Sequence, residues 1–548
     1  MSPIPGCVVA FCSCWACRLP SSCWRSAGGA VRACSPSHRR ASRSLPMPRP
    51  GHNALLKLHS PLDLFTTRLA LCGGVLLSFL VRAGSLDFQS LWRDEVDVIR
   101  FAAQPLPELL RNFTLAEHNG PLYYILMCGW LHLAGTSELA LRFIALVCGV
   151  LSIPLLWCVA RPLVGQRAAL LATLLAAISP YLAWYAQDAK MYATFTMLIL
   201  LALWCAGRAL QNGQVVWWGG FVFAASLSLY IHLMAVLMIP LYALMLLVWP
   251  SAPRGRRHGL VALGFLTLPY LPLALWQLPL LLQPHPTGHA FVPLSDMFAL
   301  LFALHTRGVA LVGDWPVSTA FLFAVLVGIF APAMRMDARV RGSAISPEGT
   351  SPWRARLFLA LWAFLPVVLL FGVTLRLPLF QPRYLIFTLP PFLMLTARGI
   401  MALACLTRPV ALALLAVVLA FSALGLWVQG TQPLKSDFRA AAAFVAQRYQ
   451  AGEPIMFQVP YARYTFDYYF PQAHPTLEGP WTNDGKSAES VVQLLRETTQ
   501  GYATLWLVVS ESWLWDERDL TRAWLREHAE LLGKGSFARV EVYHYQLH

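Results

Sequence analysis

Long apolar runs separated by short polar breaks organise most of the chain. Eleven runs are close to the roughly 20 residues needed to cross a hydrocarbon core: 64–82, 138–160, 167–185, 191–210, 215–232, 233–250, 259–280, 316–334, 357–375, 384–404 and 409–429. Another apolar stretch, "PLYYILMCGWLHLA" at 121–134, is too short for a span and suits an interfacial or re-entrant helix. After residue 430 the period changes. The remaining 431–548 read as a soluble α/β domain, with helices near 436–449, 487–498 and 517–532 and strands near 455–459, 503–510 and 538–546. The pattern predicts a polytopic α-helical membrane protein with a large first outer loop at 83–137, a membrane portion at 61–430 and an outer α/β domain at 431–548. A membrane β-barrel would instead show short alternating segments.

Composition agrees with the membrane reading. The 548 residues are 57% hydrophobic and only 13% charged, where a soluble protein carries about a quarter charged residues. The net charge of +15 is not a nucleic-acid footprint. Residues 1–62 hold eight Lys/Arg and no acid, and the rest of the excess sits mainly in short loops. The loops at 161–167, 208, 254–258, 335–356 and 408 carry twelve basic residues against two acids. The positive-inside rule places that side in the cytoplasm, provided 121–134 does not cross. The N-terminus is then inside, and the acidic 83–120 loop and the C-terminal domain are outside. Six of the twelve cysteines fall between Cys7 and Cys34 at spacings that match no common zinc pattern. Residues 1–60 read as a basic, Cys-rich disordered tail or as an upstream extension with Met47 as the true start.

Four polar stretches remain. "WRDEVDVIRFA" at 92–102 places Asp94 and Glu95 just past the first span. On a helix they point about 100° apart, so one enters a site while the other orients its neighbours. Taken alone, the stretch is better explained as an acidic helix start, where carboxylates are favoured anyway. "EHNGPLYY" at 117–124 contains a turn, with Tyr123 and Tyr124 at interface depth and His118 titrating near neutral pH. "SPYLAWYAQDAKMYATF" at 179–195 sets Asp188 and Lys190 among aromatic residues, either as a solvated hairpin or as the wall of a cavity. "LRLPLFQPRYLIFTLPPF" at 375–392 opens an apolar run with Arg383 and Tyr384, where the guanidinium either snorkels to headgroups or binds phosphate. In the orientation above, Asp94, Asp188, Lys190, Arg376 and Arg383 come from three loops to one outer face. A transporter of a lipid-linked sugar, the alternative function, would instead place its charges near the mid-membrane of broken helices.

Taken in order, W-x-D-E, H-x-x-P-L-Y-Y, S-P-Y-L-x-x-Y-A-Q-D-A-K-M-Y and P-R-Y-L resemble the GT-C glycosyltransferases, in particular the protein O-mannosyltransferases (family 39-like) and the bacterial lipid A aminoarabinose transferases. The similarity runs from about residue 64 to 430. The segment beginning "SDFRAAAAFVAQRYQ" also resembles the outer domain of bacterial members. The chain departs from the family in having His118-Asn119-Gly120-Pro121-Leu122 for H-P-P-L, and Asp188 and Lys190 for the Glu and Arg of Q-E-A-R-M-Y. The resemblance implies transfer of a sugar from a polyprenyl-phosphate donor to a lipid, glycan or protein hydroxyl, with inversion, at the periplasmic face of a bacterial inner membrane. It implies Asp94 as general base, with Glu95 beside it. Arg383, and after it Lys190, would face the leaving phosphate, and His118, Tyr123, Asp188, Tyr192 and Tyr384 would line the substrate site. A catalytically inactive, lipid-binding relative would carry the same motifs. No cofactor is demanded, and a divalent metal is left open. His285 and His289 have a helical ligand spacing, but Pro286 between them favours a plain loop. The aromatics Tyr461, Tyr464, Trp513 and Trp515 read as core of the outer domain. Expected partners are the lipid-phosphate donor, the acceptor and membrane lipids, with no nucleic acid.

Overall fold

The computed structural model describes residues 61–111, 120–249, 255–282, 289–313, 315–331 and 352–548. The N-terminal tail, His118 and His285 lie outside the described residues.

Helices dominate up to residue 431. Among the described residues six are long and apolar enough to cross a membrane: Phe65–Ala83, Glu138–Val164, Tyr192–Asn212, Pro352–Thr374, Pro382–Leu406 and Arg408–Thr431. A seventh candidate is the pair Gln166–Ala177 and Pro180–Ala186, bent by 55°. Val215–Ile231, Leu233–Val248 and Trp315–Phe330 are apolar but shorter. The helices are numbered from the start as α1 (Pro61–Ala83), α2 (Arg93–Ala102), α3 (Leu106–Arg111), α4 (Pro121–Ala134), α5 (Glu138–Val164), α6 (Gln166–Ala177), α7 (Pro180–Ala186), α8 (Tyr192–Asn212) and α9 (Val215–Ile231). With 14 residues, α4 spans only about 21 Å at 1.5 Å per residue, against a core of about 30 Å.

Local chemistry sets the elements that matter for the site. Ser137 caps α5, its hydroxyl accepting from Ala140 N at 3.3 Å, with Glu138 in the first turn, where a carboxylate is favoured. Ser179 and Pro180 break the α6–α7 pair: the Ser179 hydroxyl accepts from Leu182 N and the proline takes the first helical position, where its missing N–H costs nothing. The resulting bend delivers Gln187–Met191 as a tight turn before α8 begins at Tyr192. Gly120 precedes α4 with φ +77°, and an added Cβ would stand 2.6 Å from the Ile231 carbonyl oxygen. Glycine is therefore required at this position.

Beyond residue 431 a five-stranded sheet runs β2-β1-β3-β5-β4, where β1 is Ile455–Phe457, β2 Thr476–Glu478, β3 Thr504–Val509, β4 Ala529–Phe537 and β5 Val540–Leu547. β1 pairs in parallel with β2 and β3, and β5 pairs antiparallel with both β3 and β4. One face packs on Phe438, Ala441 and Val445, the other on Val491, Leu495 and Trp524. Two expectations need correction. The helix expected over 517–532 ends at His528, and Ala529–Phe537 is a strand. The "AELL" run reads as helical, but pairing with β5 prevails, with a register shift between Leu531 and Gly533; strand choice follows such context more than intrinsic preference. The aromatic group is also not core as a set, since Trp513 and Tyr464 are exposed.

Candidate active site

The site forms where α2, the 187–191 turn, the start of the Pro382–Thr388 turn and the segment after the last long helix meet. Trp92 is extended and α2 begins at Arg93, which puts Asp94 and Glu95 in the first helical turn. Their surroundings differ sharply.

Glu95 is fully enclosed. Arg142, also fully enclosed, grips it with two parallel bonds, Nε to Oε1 at 2.7 Å and Nη2 to Oε2 at 2.9 Å. Lys435 Nζ donates to Oε2 at 2.8 Å and the Ala189 N–H donates to Oε1 at 3.0 Å. Arg142 further donates through Nη1 to the carbonyls of Leu86 and Gln89. Burial would raise the Glu95 pKa, but Arg142 and Lys435 more than offset it and hold the carboxyl down at about 2. Asp188 is equally enclosed. It accepts from Trp92 Nε1 at 2.9 Å and from Lys435 Nζ at 3.0 Å through Oδ1, while Oδ2 has no partner in the described structure. Here burial dominates and pushes the pKa up. Lys435 therefore bridges two buried carboxylates from different elements. Lys190 lies in the same turn, buried, with its ammonium 5.8 Å from the Tyr124 ring. Burial disfavours its charge, but Tyr124, Asp94 and Asp97 raise its pKa overall.

Asp94 reaches the open side. Its Oδ2 pairs with Arg383 Nη1 at 3.1 Å, with about a quarter of each side chain exposed. The Arg383 guanidinium stands 5.1 Å from the Trp92 ring, 5.8 Å from Tyr192 and 6.0 Å from Tyr384, and its Nε is buried without an acceptor. Tyr181, Tyr185 and Tyr192 follow one another edge to face, and the His232 ring lies 5.2 Å from Tyr384. A cavity of about 220 Å³ opens here. Its membrane side includes Trp92, Trp184, Tyr185 and Arg383, and its other side includes Lys435, Tyr461, Ser510 and Glu511.

The structure thus brings Asp94, Asp188, Lys190, Tyr192, Arg383 and Tyr384 together. Tyr123 is close by but sealed, its hydroxyl buried without a partner. Asp188 has no exposed surface, so it reaches a substrate only through Lys435 and Trp92. Two residues of the site escaped sequence reasoning. Arg142 lies inside a run read as a span, and an ionisable residue at such a position is a functional signal. Lys435 follows the last span as a lone lysine and gives no local sign of its partners. Glu95 is bonded to Arg142 and Lys435, Asp188 Oδ1 to Lys435 and Trp92, and Asp94 to Arg383, and no group of three or more His, Cys, Asp or Glu suited to a metal occurs among the described residues. His289 instead meets Gln381 at 3.2 Å.

The sequence pattern of the dolichyl-phosphate-mannose-protein mannosyltransferases matches residues 118–276. No curated protein matches the chain by sequence. Among solved structures, ArnT from Cupriavidus metallidurans in the apo state aligns with a TM-score of 0.52 at 14% identity, covering 88% of this chain and 98% of that one. The same protein bound to undecaprenyl phosphate aligns at 0.50 and 14%, covering 89% and 98%. The apo oligosaccharyltransferase of Archaeoglobus fulgidus aligns at 0.52 and 13%, covering 85% and 72%. The helical bundle, the appended sheet and these alignments show that the chain is a multi-pass membrane protein of the GT-C fold.

Proposed function

We propose that this protein transfers a sugar from a polyprenyl-phosphate donor to an acceptor hydroxyl, with Asp94 as general base and Arg383 as the phosphate-binding cation. The observation that carries this reading is the Asp94–Arg383 ion pair, whose guanidinium lines the open cavity and keeps one buried N–H without an acceptor. ArnT, which shares the fold over nearly its whole length, has been solved with undecaprenyl phosphate, a ligand of the chemistry Arg383 suits.

The steps balance simply. The acceptor oxygen attacks the anomeric carbon as its proton passes to the Asp94 carboxylate. The bond from that carbon to the phosphate oxygen breaks, and the polyprenyl phosphate leaves with the electron pair. Phosphate is already a weak base, so charge stabilisation by Arg383 replaces a general acid. Direct displacement inverts the anomeric centre, and no carboxylate nucleophile is needed. Arg383 pairs with Asp94; a donor phosphate competing for the guanidinium releases the carboxylate as a base. Glu95, saturated by two cations, orients α2, and Lys190, buried against the Tyr124 ring, adds positive charge near the Asp94–Arg383 pair. Residues 61–430 hold the donor and 431–548 cover the site. The site faces the periplasm of a bacterial inner membrane, because the Arg-rich loops then lie in the cytoplasm.

The test is incubation of purified protein with synthetic polyprenyl-phosphate sugars, with and without candidate lipid, glycan and peptide acceptors. Release of lipid phosphate that depends on Asp94 supports the reading. Tight lipid-phosphate binding without release under any acceptor would leave a binding protein in its place.

A further inference from the structure

Lys435 is the one side chain from beyond the last long helix that makes ion pairs within the acidic centre of the site, among the described residues. Its Nζ is shared by Glu95 Oε2 and Asp188 Oδ1. Glu95 belongs to the turn that carries Asp94. Asp188 binds the Trp92 indole, whose ring faces Arg383 at 5.1 Å. One ammonium therefore supports both ends of the Asp94–Arg383 pair, through Glu95 and α2 on one side and through Asp188 and Trp92 on the other. Among the ion-paired groups, the buried acids Glu95 and Asp188 face Arg142 and Lys435, with Lys190 the further buried cation nearby, and removing one member of such a paired set leaves an uncompensated charge. The backbone is held to match. Gln89 Oε1 accepts from Leu434 N at 2.9 Å and from Lys435 N at 3.2 Å, while its Nε2 donates to the carbonyls of Gln429 and Gln432. The first outer loop thus clasps the segment that presents Lys435.

We infer that Lys435 is a positioning residue for the proposed reaction, fixing the Asp94–Arg383 pair by bridging Glu95 and Asp188 without itself binding the lipid phosphate. The inference rests on the reading of Asp94 as base, but its decisive readouts do not require turnover. Lys435→Met in the full chain should speed amide exchange across residues 93–102 by about tenfold, the scale of a lost pairwise coupling. It should lower kcat about as much while leaving donor KM and affinity for undecaprenyl phosphate unchanged. Adding Asp188→Asn removes the charge left unbalanced and should return exchange and kcat most of the way to the parent values. If Lys435→Met alone does not accumulate, recovery of folded protein in the double variant is the same rescue. Unchanged exchange over 93–102 in Lys435→Met overturns the inference, as does failure of the double variant to recover. Loss of undecaprenyl phosphate affinity in both variants would also overturn it, making Lys435 a phosphate ligand. If the parent protein transfers no sugar at all, the catalytic reading fails, while the exchange and lipid-binding measurements still decide the role of Lys435.

Discussion

Asp94 and Glu95 are adjacent in sequence yet meet opposite chemistry, and their variants should fail differently. Asp94→Asn should keep the fold and lipid-phosphate binding while turnover falls by roughly 10²-fold or more, the usual size of a general-base effect. Transfer assays beside lipid-binding titrations check this, and near-normal turnover would remove the base assignment. Glu95→Gln removes a carboxylate enclosed by Arg142 and Lys435, and breaking a buried pair costs about 3–5 kcal/mol. Its first symptom should be lost stability in detergent. The folded-state pKa of Glu95 lies near 2, below its ordinary 4.5. Its contribution is therefore complete above pH 4.5 and disappears as the pH falls towards 2. The stability gap between the parent and Glu95→Gln should narrow across that window, and a gap constant with pH would contradict the ion-pair account. Arg383→Ala should lower both lipid-phosphate affinity and turnover, measured by titration and transfer assay; Arg383→Lys should recover only part, because it cannot hold a carboxylate and a phosphate in one planar fork.

Among the elements, the helices Trp315–Phe330 and Leu389–Leu406 touch backbone to backbone. A Cβ at Gly399 would fall on the Ala324 carbonyl, and one at Gly328 on that of Leu395. Small residues at crossing points are how membrane helices approach closely. Gly399→Ala should separate these helices and lower the unfolding temperature in detergent by several degrees or more, read by a thermal-shift assay. Gly372, with nothing within 4 Å of an added Cβ, serves as the neutral control. Elements were legible in proportion to how local their cause is. Apolar length announced the long helices, while Ser179-Pro180 breaks a run that apolar length alone read as one span over 167–185. The strand at Ala529–Phe537 was hidden because its reason lies in the pairing with β5, and its own residues, including the exposed Leu531 and Leu532, imitate a helix.

At the scale of the molecule, the proposed orientation has a direct test. In a background cleared of native cysteines, Arg256→Cys should be shielded from an impermeant thiol reagent in intact cells, and Asn483→Cys should react. The reverse pattern would move the site to the cytoplasmic face. The clustering of Asp94, Asp188 and Arg383 could be expected from the sequence because each residue sits in a motif beside a span. Arg142 and Lys435 could not, since hydropathy hides an arginine within an apolar run and nothing local ties Lys435 to an acid 340 positions earlier.

That separation also has a meaning in time. A chain emerges at about 5–20 residues per second, so Glu95 leaves the ribosome roughly 20–70 s before Lys435 does. During that interval Arg142 is the available counter-charge for two acids destined for burial, and the Gln89 clasp has nothing to hold. On this order of synthesis, the acidic pocket around Glu95 and Asp188 stays without Lys435 until the segment after the last long helix is made. Closure of that pocket would then be among the final acts of assembly, and a chain halted before Lys435 would expose the pocket to the quality-control proteases of the membrane.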